Sequence, residues 1–430
     1  MAVIKVDFSK RIGTVKPLHG VGQAPFTMTD YSMIRYLKEA GVPFSRLHDV
    51  GGAFGGNVYV DIPNLFRNFD ADPYDPANYD FTFTDLLLSA LVENGVEPFF
   101  RLGVTIENFS HIKYYRIAPP KDFHKWAVIC EHVVRHYNEG WADGFRFNIR
   151  YWEIWNEPEN NHDINHNNMW RGTKEEFFRL YEVAAKHLKA CFPEIKVGGY
   201  GSCGFYDLTG RPSVNTGSNA RYEYLMQFYL EFLESLKRSG APLDFFSWHN
   251  YEWIQPTPIY ANFVWKSLDE AGFTEAESIC DEWMANTGDK GTAKHAAYIT
   301  GMILAMQDLP VDSAMAYDGR CGMSIYSVFF DGATRKPYPA YYGLKAFNEL
   351  YQRKNQVCVE NSAPGVYACA AMDADGYLVI VNETPEAVPL ELSMDREVDA
   401  CFRIDDNCFL EPCALPEALD AYSILCVRTK

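Results

Sequence analysis

Short apolar runs alternate with longer amphipathic stretches over residues 16–351. The short runs are rich in β-branched and aromatic residues, which favours strands, and the longer ones repeat apolar residues at helical spacing. Alternation of this kind is typical of parallel strands connected by crossover helices. Eight strands are predicted, at residues 17–22, 44–50, 98–102, 151–157, 195–200, 245–251, 278–283 and 314–319. The predicted helices include residues 30–40, 83–94, 122–137, 174–190, 222–237 and 293–307.

Eight strand–helix units predict an α/β fold, a (β/α)8 TIM barrel with enlarged loops, as the catalytic domain over residues 16–351. A doubly wound open sheet is the alternative, because it uses the same alternation of strands and helices. Thr173 and Glu176 have the spacing of a capping box, which marks the start of one predicted helix.

A different pattern follows Tyr351, where short alternating runs are separated by Pro, Asp and Asn. The clearest of these runs are residues 376–381, 388–392 and 422–427, and they predict a small accessory β-sandwich. Residues 3–8 also alternate like a strand and precede the barrel, so they are expected to pair into that sandwich. The accessory domain is therefore predicted to comprise residues 1–15 and 352–430.

Composition narrows the classes of partner. The 430 residues are 47% hydrophobic and 22% charged, and no apolar run is long enough to cross a bilayer, which predicts a globular protein without a membrane partner. A net charge of -18 argues against nucleic acid or an anionic membrane as a partner, and a neutral substrate such as a small carbohydrate fits this charge better. The first residues lack the features of a secretory signal, which predicts a cytoplasmic location. A homo-oligomer is possible.

Eleven cysteines occur without a C-x-x-C pair. This pattern suits free thiols in a reducing compartment rather than disulfides or a zinc site. The sequence therefore predicts no metal and no cofactor.

Two glutamates stand at predicted strand ends. Glu157 ends the fourth strand, where Pro158 cannot continue a hydrogen-bonded ladder, and Glu282 ends the seventh. In a barrel, the carboxyl ends of all strands form one mouth, where active sites lie. Hydrolysis of a glycosidic bond needs two carboxyl groups on opposite sides of the sugar. Because side chains alternate along a strand, only one of Asp281 and Glu282 is expected to face that mouth.

The segment Glu153-Ile154-Trp155-Asn156-Glu157-Pro158 resembles the acid/base motif of clan A glycoside hydrolases, most closely glycoside hydrolase family 39, which includes β-xylosidases and α-L-iduronidase. Further similar segments are residues 46–48, 119–126, 196–199 and 244–251. The resemblance implies that Glu157 is the acid/base, that Glu282 rather than Asp281 is the nucleophile, and that hydrolysis retains configuration through a covalent glycosyl-enzyme intermediate.

The roles of the two glutamates set their expected ionisation. Glu157 must be protonated, which requires a raised pKa, and Glu282 must be ionised, for which Arg46 is the candidate positive neighbour. A purely structural ion pair of Arg46 is the alternative. Asn156 is expected to bond the sugar 2-hydroxyl, and the resemblance suggests Tyr251 as a donor to Glu282 and His48 and His249 at other sugar hydroxyls. Trp283 is a further candidate, because apolar sugar faces stack on aromatic rings.

Two positions depart from the family pattern. Asp49 replaces a glycine and precedes a glycine-rich stretch at residues 51–56, while residues 317–320 read Tyr-Asp-Gly-Arg where the β-xylosidases carry a Tyr-Trp pair. Asp49 and Asp318 are expected to add hydrogen-bond acceptors to the substrate pocket, and loss of an indole removes a stacking surface.

These features predict an exo-acting glycosidase on pentosides, similar to β-xylosidases. The alternatives are an α-L-arabinofuranosidase or another glycosidase, a catalytically inactive sugar-binding protein, and a barrel enzyme of different chemistry such as a lyase or isomerase.

Overall fold

A closed barrel of eight parallel strands forms the larger part of the molecule. The computed structural model describes residues 1–26, 30–50, 59–106, 117–210, 219–285, 287–322 and 325–430. The barrel strands follow chain order and close between the first and the last, which confirms the TIM barrel and excludes the open sheet. They are β2 (Gly20–Gly22), β3 (Phe44–Leu47), β4 (Glu97–Leu102), β5 (Tyr151–Ile154), β6 (Lys196–Ser202), β7 (Phe245–Asn250), β8 (Glu277–Trp283) and β9 (Ser313–Tyr317).

Helices connect the strands. The capping box is present, since Thr173 Oγ1 accepts from the Glu176 amide at 3.2 Å and the Glu176 carboxylate accepts from the Thr173 amide at 2.7 Å. The helices are α1 (Arg35–Glu39), α2 (Ile62–Leu65), α3 (Thr82–Glu93), α4 (Phe123–Asn138), α5 (Lys174–Cys191), α6 (Asn219–Ser239), α7 (Thr257–Ala271), α8 (Ala293–Gln307) and α9 (Pro339–Arg353). The glycine-rich residues 51–56 lie outside the described residues.

The expected accessory β structure is a separate nine-stranded sheet that includes the first strand of the chain. The first strand, β1 (Ala2–Thr14), pairs antiparallel with the strand that follows the barrel and parallel with a second one. The other members are β10 (Asn355–Asn361), β11 (Val366–Met372), β12 (Gly376–Asn382), β13 (Val388–Met394), β14 (Val398–Ile404), β15 (Phe409–Cys413), β16 (Ala418–Leu419) and β17 (Ile424–Thr429). The residue numbers at which one domain ends and the other begins stay a prediction.

The barrel interior changes from apolar to charged along its axis. Its amino-terminal end holds a compact apolar cluster of six side chains, Phe44, Phe99, Tyr151, Phe245, Ile279 and Met315. Two positions further along the strands, buried charged groups replace them, including Arg46, Glu153 and Asp281. Buried charges are stable only when paired, so this layer is expected to form an ion-pair network beneath the barrel mouth.

Among the helices within the described ranges, none combines the length and apolar character that crossing a membrane requires.

Candidate active site

Glu157 lies just beyond β5, on backbone that turns sharply toward the barrel mouth. Trp155 and Glu157 have positive φ angles of 75° and 45°, a region that side chains other than glycine seldom adopt. The Glu157 amide is held by the carbonyls of Tyr200 and Gly201, at 3.1 and 3.0 Å. Glu157 is 9% exposed. The turn therefore presents a largely desolvated carboxyl group at the carboxyl end of its strand.

Glu282 lies near the end of β8, where the strand contains a bulge. Ser247 of β7 pairs with Ile279 of β8. His249 lies two residues after Ser247, but its partner Glu282 lies three residues after Ile279, so β8 contains one extra residue between the two pairs. A bulge of this kind re-aims side chains and is common beside active sites. Asp281 and Glu282 both contact the same arginine, although they are successive residues of one strand.

That arginine, Arg46, is buried in β3 and binds four groups. Its guanidinium donates to Glu153 Oε2 at 2.8 Å, to Glu282 Oε2 at 3.1 Å and to Asn156 Oδ1 at 2.6 Å. Its Nε also lies 2.7 Å from Asp281 Oδ2. Burial alone would lower the pKa of Arg46, but the surrounding carboxylates outweigh it and raise that pKa. Arg46 therefore forms a structural ion pair with Glu153 and is also a positive neighbour of Glu282, the two roles that the sequence offered as alternatives.

The neighbours of the two carboxyls separate Glu282 from Asp281. The Tyr251 hydroxyl donates to Glu282 Oε1. The Glu282 side chain is 8% exposed, whereas that of Asp281 is fully buried. Burial raises the pKa of Asp281 well above its ordinary value, with Arg46 only partly offsetting it. Glu282 is thus the carboxyl group of the two that solvent can reach.

His249 lies between the two candidate catalytic carboxylates. Its Nδ1 forms a hydrogen bond of 2.8 Å with Glu157 Oε1, and its Nε2 lies 3.6 Å from Glu282 Oε2. Gly201 makes room for this arrangement, because a Cβ there would lie 3.1 Å from His249 Nε2 and 2.8 Å from Arg46 Nη2. His249 is 1% exposed, and its contact with a sugar hydroxyl stays a prediction.

The position of His249 changes the expected order of the pKa values. Burial lowers the pKa of His249, but the charge of Glu282 and the hydrogen bond to Glu157 raise it to about 9. Burial raises the pKa of Glu157, but its hydrogen bond to His249 and the imidazolium charge lower it to about 2. Burial raises the pKa of Glu282, with His249 and Arg46 only partly opposing. The pKa of Glu157 is therefore lowered, the opposite of the raised pKa predicted for a general acid.

The family model of glycosyl hydrolases family 39 matches residues 25–282. This match covers more than half of the chain and includes both Glu157 and Glu282. The chain belongs to glycosyl hydrolases family 39. The description of this family as glycosyl hydrolases agrees with the glycosidase that the motifs predict.

Two β-xylosidases are similar in sequence to this family 39 chain. The enzyme of Geobacillus stearothermophilus is 28% identical over 224 residues, which are 50% of this chain and 39% of that protein. The enzyme of Caldicellulosiruptor saccharolyticus is 24% identical, with 94% of this chain and 83% of that protein aligned. The chain therefore spans well under half of the first relative's length and most of the second's.

Solved structures share the fold. A glucosidase from Croceicoccus marinus has a TM-score of 0.78 at 19% identity, with 100% of this chain and 99% of that chain covered. A family 39 β-xylosidase from Caulobacter crescentus has a TM-score of 0.66 at 18% identity, with the same coverage of both chains. At these identities the likeness shows the fold alone.

Other predicted site residues of the family 39 enzyme lie around this centre with their polar atoms already engaged. Asp49 accepts from the Tyr317 hydroxyl at 2.8 Å, and its other oxygen lies 3.2 Å from His48 Nε2. Asp318 is fully buried, and Arg320 donates to both its oxygens, at 3.0 Å from the amide and 2.8 Å from Nε. Asp318 therefore has an ion-pair partner within its own loop, and a role as a sugar acceptor stays a prediction.

Trp283 does not offer a stacking surface in this structure. Its side chain is fully buried, and its indole N–H has no hydrogen-bond partner among the described residues. A contact of Trp283 with the sugar stays a prediction.

Three residues beside the family 39 centre were missed in the sequence. Glu153 accepts from the Ser247 hydroxyl at 2.6 Å as well as from Arg46, and Asn160 donates to Glu157 Oε2 at 2.7 Å. Glu159 is fully buried and accepts from the Ser202 hydroxyl at 2.9 Å. One signal was available for Glu153, because a charged residue inside an otherwise apolar barrel strand requires a buried partner. Asn160 and Glu159 carry no such signal, since they follow the strand in a loop.

Metal-binding atoms occur in two groups among the described residues. One group is Glu157, His249 and Glu282, whose ligand atoms lie within 4.8 Å of one another. The second group lies outside the barrel mouth, between α4 and α5.

Proposed function

We propose that the chain hydrolyses small glycosides with retention of configuration, through a covalent glycosyl-enzyme intermediate. One observation carries this proposal, namely that an oxygen of Glu157 and an oxygen of Glu282 lie within 4.8 Å of each other. Retaining enzymes place their carboxyl groups about 5–5.5 Å apart, whereas inverting enzymes leave about 6.5–9.5 Å for a water molecule. The short separation supports direct attack by a carboxylate on the sugar.

In the proposed first step, the Glu282 carboxylate attacks the anomeric carbon and forms a C–O bond to it. The glycosidic C–O bond breaks, and its electron pair stays with the leaving oxygen, which takes a proton from Glu157. Arg46 and Tyr251 are hydrogen-bonded to Glu282 and hold its two oxygens in place for this attack.

In the second step, the Glu157 carboxylate removes a proton from water as the water oxygen attacks the anomeric carbon. The bond between the sugar and Glu282 breaks, and Glu282 leaves as a carboxylate. Two inversions at the same carbon give net retention, and the final protonation state equals the initial one.

His249 supplies the proton for the first step in this proposal. Transfer of its Nδ1 proton across the 2.8 Å contact to Glu157 Oε1 produces a neutral carboxylic acid and a neutral imidazole. The buried trio of His249, Glu157 and Glu282 therefore titrates as a unit, with one proton that two of its members can hold.

The proposed substrates are pentosides cleaved by exo action, as a β-xylosidase would cleave them. This follows from the two similar proteins that are named β-xylosidases. α-L-Arabinofuranosides remain the second candidate class, because Asp318 and its partner Arg320 occupy a pocket wall that differs from the β-xylosidase pattern.

Replacement of the acid/base tests the mechanism. Glu157→Ala should lose activity on glycosides with poor leaving groups while retaining the first step on activated aryl glycosides, because only poor leaving groups need the proton. Azide should restore turnover of the activated substrate by trapping the intermediate. Full activity of the variant on unactivated substrates would contradict the assignment.

A fluorosugar inactivator tests the nucleophile. It should label Glu282, and Asp281→Asn is the matched control because it changes the adjacent carboxyl that contacts the same arginine. Labelling of any other residue would overturn the role of Glu282.

A panel of nitrophenyl glycosides tests the substrate class. The proposal requires hydrolysis of a pentoside in preference to hexosides. Sugar binding without hydrolysis of any member would instead indicate a catalytically inactive binding protein.

A further inference from the structure

A second cluster of metal-binding side chains lies on the outer surface of the barrel, between α4 and α5. It consists of Glu131 from α4 and of His187 and Cys191 from α5. Their ligand atoms all lie within 4.8 Å of one another. No step of glycoside hydrolysis uses these residues.

We propose that Glu131, His187 and Cys191 bind a thiophilic divalent transition metal ion such as zinc. His187 and Cys191 are four residues apart and therefore lie on the same face of α5, one turn from each other. A carboxylate, an imidazole and a thiolate form a ligand set that zinc accepts in tetrahedral sites.

The distances fit this assignment with a small adjustment. Zinc bonds of about 2.0–2.1 Å to nitrogen and about 2.3 Å to sulfur place these two atoms about 3.6 Å apart in a tetrahedron. His187 Nε2 and Cys191 Sγ are 3.9 Å apart. His187 Nε2 and Glu131 Oε2 are 2.6 Å apart, a hydrogen-bond distance, and must separate by about 0.7 Å when a metal ion replaces the proton between them.

The surroundings orient the carboxylate and favour a cation. Arg135 donates to Glu131 Oε1 at 2.7 Å, which leaves Oε2 directed at His187. A hydrogen bond to the non-coordinating oxygen is a usual feature around ligating carboxylates. Cys191 is the last residue of α5, where the helix dipole places partial negative charge. The metal charge of +2 is balanced by one carboxylate and one thiolate, while Arg135 also pairs with Glu139.

The fourth ligand position has a candidate in His124. Its ring packs edge-on against His187 with the ring centroids 5.2 Å apart, and its side chain is exposed. Rotation of an exposed side chain is easily achieved, so His124 can complete the tetrahedron.

Cobalt(II) is the probe that tests the proposal, because a thiolate ligand produces a charge-transfer band in the near ultraviolet. The full-length protein is treated with chelator, freed of it, and titrated with Co²⁺ under reducing, oxygen-free conditions. The band should saturate at one equivalent, disappear on addition of Zn²⁺, and be absent in Cys191→Ser. Cys413→Ser is the matched control, since it removes a half-buried thiol that faces Cys401 across two strands of the accessory sheet. This control should retain the band.

Two further measurements keep the outcome decisive. Zinc should raise the melting temperature of the wild type and of Cys413→Ser but not of Cys191→Ser or His187→Gln. Glycosidase activity should be the same with and without chelator, because the site is remote from the carboxylate pair. Absence of the band in the wild type, or its persistence in Cys191→Ser, would overturn the proposal, as would equal zinc stabilisation of all variants.

Discussion

Replacement of His249 by glutamine tests whether His249 holds the proton that the buried trio of His249, Glu157 and Glu282 shares. In the free enzyme, Nδ1 of His249 is 2.8 Å from Glu157 and Nε2 is 3.6 Å from Glu282. Glutamine keeps a polar side chain of similar length but cannot carry the proton. In the variant, Glu157 itself must hold the proton that the leaving group receives.

The structure sets the size of the expected change. The two carboxylates raise the pKa of His249 from 6.5 to about 9, a difference worth about 3 kcal/mol. Without the imidazolium, the pKa of Glu157 should rise from about 2, because burial raises it and the largest opposing interactions, those with His249, are lost. Glu159, a buried carboxyl two residues away without an ion-pair partner among the described residues, has a pKa raised by burial to about 7. The basic limb of kcat/KM should therefore move from near 9 to about 7.

The assay is the pH profile of kcat/KM on a glycoside with a poor leaving group. A matched profile on a highly activated aryl glycoside should show little change in its basic limb, because that substrate does not need the proton. His19→Gln is the control, since His19 is also fully buried but bonds to the Gly41 carbonyl, at 2.9 Å, and to no carboxylate among the described residues.

A specific result would refute this reasoning. If the basic limb of His249→Gln stayed within about half a unit of the wild type, His249 would not hold the catalytic proton. A shift of equal size in His19→Gln would show that the change reflects general destabilisation instead.

Three further predictions concern stability. Burial raises the pKa of Glu159 to about 7, so ionisation of Glu159 lowers the free energy of unfolding as the pH rises from 4.5 through 7. Glu159→Gln should remove about 3 kcal/mol of this loss of stability, measured by urea unfolding at pH 5 and pH 8. An unchanged pH dependence of the unfolding free energy would contradict the prediction. Arg46→Leu leaves Glu153 and its neighbouring carboxylates without their buried cation, and should lower the unfolding free energy by about 3–5 kcal/mol at neutral pH. A loss below about 1 kcal/mol would show that the ion pair between Arg46 and Glu153 is not important for stability. Thr173→Ala removes the α5 cap and should cost about 1 kcal/mol without altering kcat. Arg179→Ala, at an exposed position of the same helix, should change stability by under about 0.5 kcal/mol.

The fold class followed from local patterns. Apolar runs of strand length, helical periodicity and the capping box at Thr173 depend on residues that are close in sequence, and they predicted the eight strands and the order of elements. The motif around Glu157 likewise identified the family, because it combines a strand end with Pro158 in one short segment.

The accessory sheet shows an intermediate case. The alternation of apolar and polar residues in β1 predicted a strand that belongs to the accessory domain. This pattern does not determine which strands pair with β1. The structure pairs β1 with β10 on one side and β13 on the other. Register between strands so distant in sequence depends on packing of the whole sheet.

By itself, then, the sequence determined the barrel, the family and the two carboxylates proposed for catalysis, since each of these is encoded in contiguous residues. Only the tertiary structure decided the bulge that brings Asp281 and Glu282 to Arg46, and the placement of His249 between the carboxylates. Arg46 and Glu282 are 236 residues apart, so their contact depends on closure of the barrel. The protonation order follows from that contact geometry, because Coulomb energies among buried groups depend on distance and desolvation, which no local pattern records.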